Sequence, residues 1–296
     1  MVVVGLVWLV LLTLRPSDTI LLLVHLTTAA ALYVYARPRT GRIVAFGIAL
    51  VCLSLPVSGT TLPTPYLGVA FSAAAGAWAL VILLGPAPIK WAPIAAVLLT
   101  IASLASGVGL AFLAAAVPVL LPGPRRRYLW TVVPALVIGT TRWLVLDGLD
   151  QVRPDAPYDS LSGSVAGMTQ LVGEVIGLGM LAGLSIVILI ALGVVGTIGF
   201  SSGLRLGLVA GGVGLVTQYC VLALNPSVFG MDVGAASVLL LPTSVFLAIA
   251  LTSWLAHRML DVPGRRLRLV AIESALVALA VAGNLGIGLG GPHLTP

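Results

Sequence analysis

Glu174 and Gln170 are the two residues of this chain best placed to do chemistry. Glu174 stands in an apolar run from 163 to 200, about ten residues past its start; helical rise puts it about 15 Å deep, near the centre of a bilayer. Gln170 lies one helical turn earlier, so an amide and a carboxyl share one face of the same helix. Ionisable groups at such depth are costly unless neutral or paired, and they mark ion and substrate pathways. The pair suits a proton- or cation-coupled carrier. Arg142, near the end of the run 128–146, is a cation within reach of Asp147 or of Glu174 on the next helix. Each has a structural alternative: Glu174 as hydrogen-bonded packing glue, and Arg142 as a snorkelling or locally paired side chain.

The polar concentration of the chain is the stretch RWLVLDGLDQVRPDAPYDS, with Asp147, Asp150, Asp155 and Asp159. Clustered carboxylates of this kind hold Mg²⁺ or Ca²⁺, which would serve an enzyme acting on a lipid-linked substrate. Arg153, Pro154 and Pro157 equally suit an ordinary solvated loop. In length and helix number the chain is similar to membrane prenyltransferases, which carry two aspartate-rich motifs; here there is one. It is also similar in those respects to drug/metabolite carriers, but it shows no inverted repeat, and no family is assigned. Cys52 and Cys220 fall in apolar runs as small hydrophobes, and His25, His257 and His293 are too few for several haems. Walker A, GxGD and HExxH motifs are absent, and no cofactor is expected.

The elements that must position these residues are membrane helices. Of 296 residues, 59% are hydrophobic and 8% charged, and the mean hydropathy is +1.17. A soluble domain carries about 25% charge, so a soluble enzyme, a disordered chain and a secreted domain are excluded, and the bilayer is the first partner. Apolar runs occupy about 1–14, 19–36, 43–57, 66–85, 91–121, 128–146, 163–200, 204–224, 233–257 and 268–290. The first lacks a basic leader and a small-residue cleavage site, so it reads as a retained helix.

Charge sets orientation. With Arg37, Arg39 and Arg42 in the cytoplasm, alternation puts Lys90, Arg125, Arg126, Arg127, Arg205, Arg258, Arg265, Arg266 and Arg268 there too. Asp18, Asp147, Asp150, Asp155, Asp159 and Asp232 fall outside. The net charge of +6 is therefore read as membrane orientation, and nucleic acid is not expected. This scheme requires 91–121 to return to its starting side, as a pair of short helices or a re-entrant loop turning near Ser103, Ser106, Gly107 and Gly109. The run 163–200 is read as a full span followed by a short or partly unwound continuation.

Gly199, Gly203, Gly207 and Gly211 recur every four residues, the spacing of a groove that admits a neighbouring helix. Tight internal packing is the leading use; a homo-oligomer seam or a membrane partner subunit is the alternative. The expectation is an all-α polytopic protein of the plasma membrane. It forms one domain over 1–296, with about ten transmembrane helices, a hairpin at 91–121 and a cytoplasmic N-terminus. The leading function is small-solute transport, as a carrier or permease subunit. A lipid-linked enzyme and a non-catalytic assembly subunit are the alternatives.

Overall fold

Apolar runs without charge have one stable state in lipid, in which each backbone amide bonds within its own helix. The computed structural model describes residues 16–55, 64–86, 88–146, 202–224 and 233–261, and every regular element among them is helical. These are α1 (Pro16–Thr40), α2 (Arg42–Ser54), α3 (Thr64–Leu83), α4 (Pro88–Ala105), α5 (Gly109–Leu120), a 3-10 segment (Gly123–Val132), α6 (Val133–Leu146), α7 (Ser202–Leu224) and α8 (Val233–Asp261). Among the described residues three stretches are long and apolar enough to cross a membrane: Thr19–Thr40, Gly203–Val221 and Leu239–His257. Four shorter apolar helices accompany them. They mark a helical membrane protein. The runs at 1–14, 163–200 and 268–290 lie outside the described residues.

One run takes the expected paired form and one expected span is built differently from its hydropathy. The run 91–121 is two helices, α4 and α5, separated by Ser106–Val108. Gly109 packs against the backbone of Ala102 and Ser103, so the chain folds back on itself. The run 128–146 is part 3-10 and part α-helix, and α6 has 14 residues, about 21 Å of rise. The change of winding has a local cause at Pro134. Its ring nitrogen cannot donate to the carbonyl of Trp130, and the Val133 N–H takes that carbonyl instead, closing the tighter turn.

The helix ends are tied together at one end of the bundle. Gly41, at φ 94°, makes the corner between α1 and α2, a backbone region that favours glycine. The Arg39 guanidinium lies 3.9 Å from the Tyr35 ring centre, and donates to the carbonyls of Tyr35 (2.7 Å) and Leu84 (2.9 Å). Arg125 donates to the carbonyl of Leu83 at 3.4 Å. Two arginines from different helices thus satisfy the free carbonyls at the end of α3. Tyr35 and Ser253 share a hydrogen bond of 2.7 Å, and Gly207 lies against both. Arg37, Arg39, Arg42, Lys90, Arg125, Arg126 and Arg205 therefore sit toward one end of the bundle, as the charge pattern requires.

The interior is built on two rings. Phe112 of α5 and Phe246 of α8 are fully buried, with centroids 4.5 Å apart and planes tilted by 34°. Gly76 of α3 leaves the space taken by Phe112, and Gly214 of α7 leaves the space taken by Phe246. In lipid the two rings stabilise the bundle by close packing rather than by leaving water, the aromatic pair itself being worth about 0.5–1.5 kcal/mol.

α7 and α8 pack antiparallel in one register. Gly207 faces Ser253, Gly211 faces Phe246 and Ala250, Gly214 faces Phe246, and Gln218 meets Thr243. Gly203 faces open space, and Gly199 lies outside the described residues. A Cβ at position 207 would overlap the hydroxyls of Ser253 and Tyr35. Gly207→Ala is therefore expected to destabilise by about 1–3 kcal/mol. Gly203→Ala should be neutral or stabilising by up to about 1 kcal/mol, since only helix propensity changes. Thermal unfolding of both variants in one detergent checks the contrast.

Candidate functional site

Hydroxyls in these apolar helices mostly bond to their own backbone. Thr28 donates to Val24 O (2.8 Å), Thr100 to Ala96 O (2.9 Å) and Ser253 to Ile249 O (2.8 Å). His25 is buried and pairs through Nδ1 with Leu21 O at 3.0 Å, which accounts for it structurally. Gln218 donates to Thr243 Oγ1 at 2.9 Å, beside Pro242, while its Oε1 has no partner. Such groups are accommodated one by one.

The tip of the α4–α5 hairpin is different, because several polar groups converge there. Ser106 Oγ accepts from the Val108 N–H at 3.3 Å. Three successive i→i+3 bonds then start α5: Gly109 N to Ser106 O, Leu110 N to Gly107 O, and Ala111 N to Val108 O. The amides of Ser106 and of Val108 to Ala111 are thus satisfied within the hairpin itself. Three glycines allow close approach: Gly68 of α3 against the Ala105 carbonyl, Gly109 against the Ala102 backbone, and Gly139 of α6 against the side chains of Ser103 and Leu110.

Arg142 completes this tip. One of its terminal nitrogens donates to the carbonyl of Leu104, in the last turn of α4. Helical rise from Pro88 to Leu104 places that contact about 24 Å from the basic end. A guanidinium here satisfies an orphan carbonyl and sets a cation against the negative end of the α4 dipole. Two donors remain: Arg142 Nε and Ser103 Oγ are both buried and unpartnered. Both belong to the contact between α4 and α6: a Cβ on Gly139, one turn before Arg142, would sit 3.4 Å from Ser103 Oγ, and Arg142 bonds the next residue of α4, Leu104. A charge and a hydroxyl left open at one place can hold a carboxylate or another acceptor.

Arg142 is thus the expected site residue that the structure describes, and it is bound to the hairpin. Glu174 and Gln170 lie outside the described residues, as do Asp147, Asp150, Asp155 and Asp159. Among the described residues no three His, Cys, Asp or Glu side chains come together as a metal site. Of the glycine ladder, Gly207 and Gly211 are used inside the bundle and Gly203 is not. Sequence reasoning took Ser103 as a turn-former and missed its hydroxyl as a buried donor. It also read Arg39 and Arg125 as orientation signals alone. Their positions beside the end of α3 become visible only once α1, α3 and the 3-10 segment are packed.

Removing the Arg142 contact leaves the Leu104 carbonyl unpaired in an apolar setting. Arg142→Leu is expected to cost about 1–3 kcal/mol, read as a lower unfolding midpoint, with Arg142→Lys intermediate because a point charge replaces a planar fork. No protein-family model matches this chain, and no curated protein or solved structure matches it either.

Proposed function

We propose that this chain is a small-solute transporter or permease subunit of the plasma membrane, with its polar site around Glu174, Gln170 and Arg142. The observation that carries the reading is the hairpin tip. A helix pair broken at Ser106–Val108 is held by Arg142 with two buried donors unpartnered. Irregular backbone at membrane depth belongs where it is enclosed by protein or lines a pathway, and transporters use such broken helices to hold their cargo. In this reading the α4–α5 hairpin enters from the basic end and returns to it. The basic end is cytoplasmic, the N-terminus with it, and the chain makes about ten crossings. Glu174 supplies the titrating carboxyl and Arg142 the fixed cation.

The test is uptake into vesicles reconstituted with the full chain and loaded with a pH-sensitive dye. Labelled amino acids, organic acids and sugars are supplied outside, with solute entry and internal acidification read together. Glu174→Gln is expected to abolish the solute-driven proton signal. Unchanged uptake with an unchanged pH dependence removes Glu174 from the site.

A further inference from the structure

We infer that the corner between α1 and α2 is a binding site for the phosphate of an anionic phospholipid. The corner carries a cleft of about 460 Å³ lined by Tyr33, Val34, Arg37, Pro38, Gly41 and Arg42, a size in the range of small-molecule sites. Arg37 and Arg42 are exposed on either side of Gly41. Among the described residues neither guanidinium meets a carboxylate, whereas Arg39, between them in sequence, is committed to the carbonyls of Tyr35 and Leu84. The cleft is therefore lined by two planar cations with no carboxylate partner among the described residues, the side-chain type that can grip a phosphate bidentately.

Two further features fit a phosphate that belongs to a lipid. No side chain caps the start of α2, so its first N–H groups add donors on the same side as Arg42. From that point an exposed apolar stripe runs down α2: Ile43 at 70%, Phe46 at 64%, Leu50 at 37% and Leu53 at 36%. Their three- and four-residue spacing keeps them on one face. On α1, Val34 in the cleft is also exposed, and Leu26, Leu23 and Ile20 continue outward along the helix. A headgroup in the cleft has acyl chains that follow these stripes, which a free phosphate does not use.

The experiment uses the purified full chain in mild detergent, with phosphatidylglycerol and phosphatidylcholine of equal chain length. Native mass spectrometry counts retained lipid, and tryptophan fluorescence reads thermal unfolding. Wild-type protein is expected to prefer phosphatidylglycerol by about 30-fold, two basic contacts near a membrane surface being worth that ratio. Arg37→Gln with Arg42→Gln should erase the preference, while the equal charge loss of Arg126→Gln with Arg205→Gln should keep it. Should the first pair not purify, Arg42→Gln alone is expected to reduce the preference by about 5-fold. A preference that survives the Arg37/Arg42 pair, or that both pairs remove equally, overturns the site. Stabilisation by glycerol phosphate matching that of the lipid overturns the lipid assignment in favour of a free anion. None of these readouts depends on transport, so the site and the proposed function stand or fall separately.

Discussion

Arginine on carbonyl is the interaction that makes this bundle possible. A helix that stops inside an apolar protein leaves carbonyls that water cannot reach. Here α3 ends beneath Arg39 and Arg125, and α4 ends beneath Arg142. The contacts come from helices distant in sequence, so each also fixes how one element sits against another. Short helices are allowed because a neighbour's guanidinium closes them, and the hairpin between α4 and α5 exists on those terms.

Much of this arrangement was legible in the residues, and the parts that were not share a cause. The length of 91–121 and its Ser and Gly residues pointed to a turn where the structure has Ser106–Val108. The basic residues pointed to one common end, and contacts from Tyr35, Arg39 and Arg125 bring that end together. The glycine ladder was half legible. A step of four residues turns the helix about 40° past a full circle, so a run of such steps drifts round the axis. The face packed on α8 follows Gly207, Gly211, Gly214 and Gln218, where steps of four and three alternate and the drift cancels. Gly203 stands within about 20° of Gly214 round the axis, so it is its place in the first turn of α7 that leaves it in open space.

The 3-10 winding of Gly123–Val132 was hidden for a different reason. Hydropathy measures the wish to leave water, and it is nearly blind to how the backbone winds. Pro134 sets the last turn of the 3-10 segment by withholding a donor from Trp130. The hydroxyl of Ser103 was hidden because its burial depends on Gly139, which packs against it from another helix. Glu174 could be picked out because intramembrane charge is rare. Ser103 could not, since serine is common and usually bonds to its own helix.

The clamp of Phe112 and Phe246 between Gly76 and Gly214 has a consequence for how the protein is made. Helices enter the membrane as they leave the ribosome, N-terminal elements first. When α5 is synthesised, Gly76 is already in place, but the ring that closes over Phe112 lies far downstream in α8. With 12 residues, α5 is too short to hold itself across the bilayer, and its long-range partner comes late. The ring contact that closes over Phe112 can therefore form only once α8 has been made.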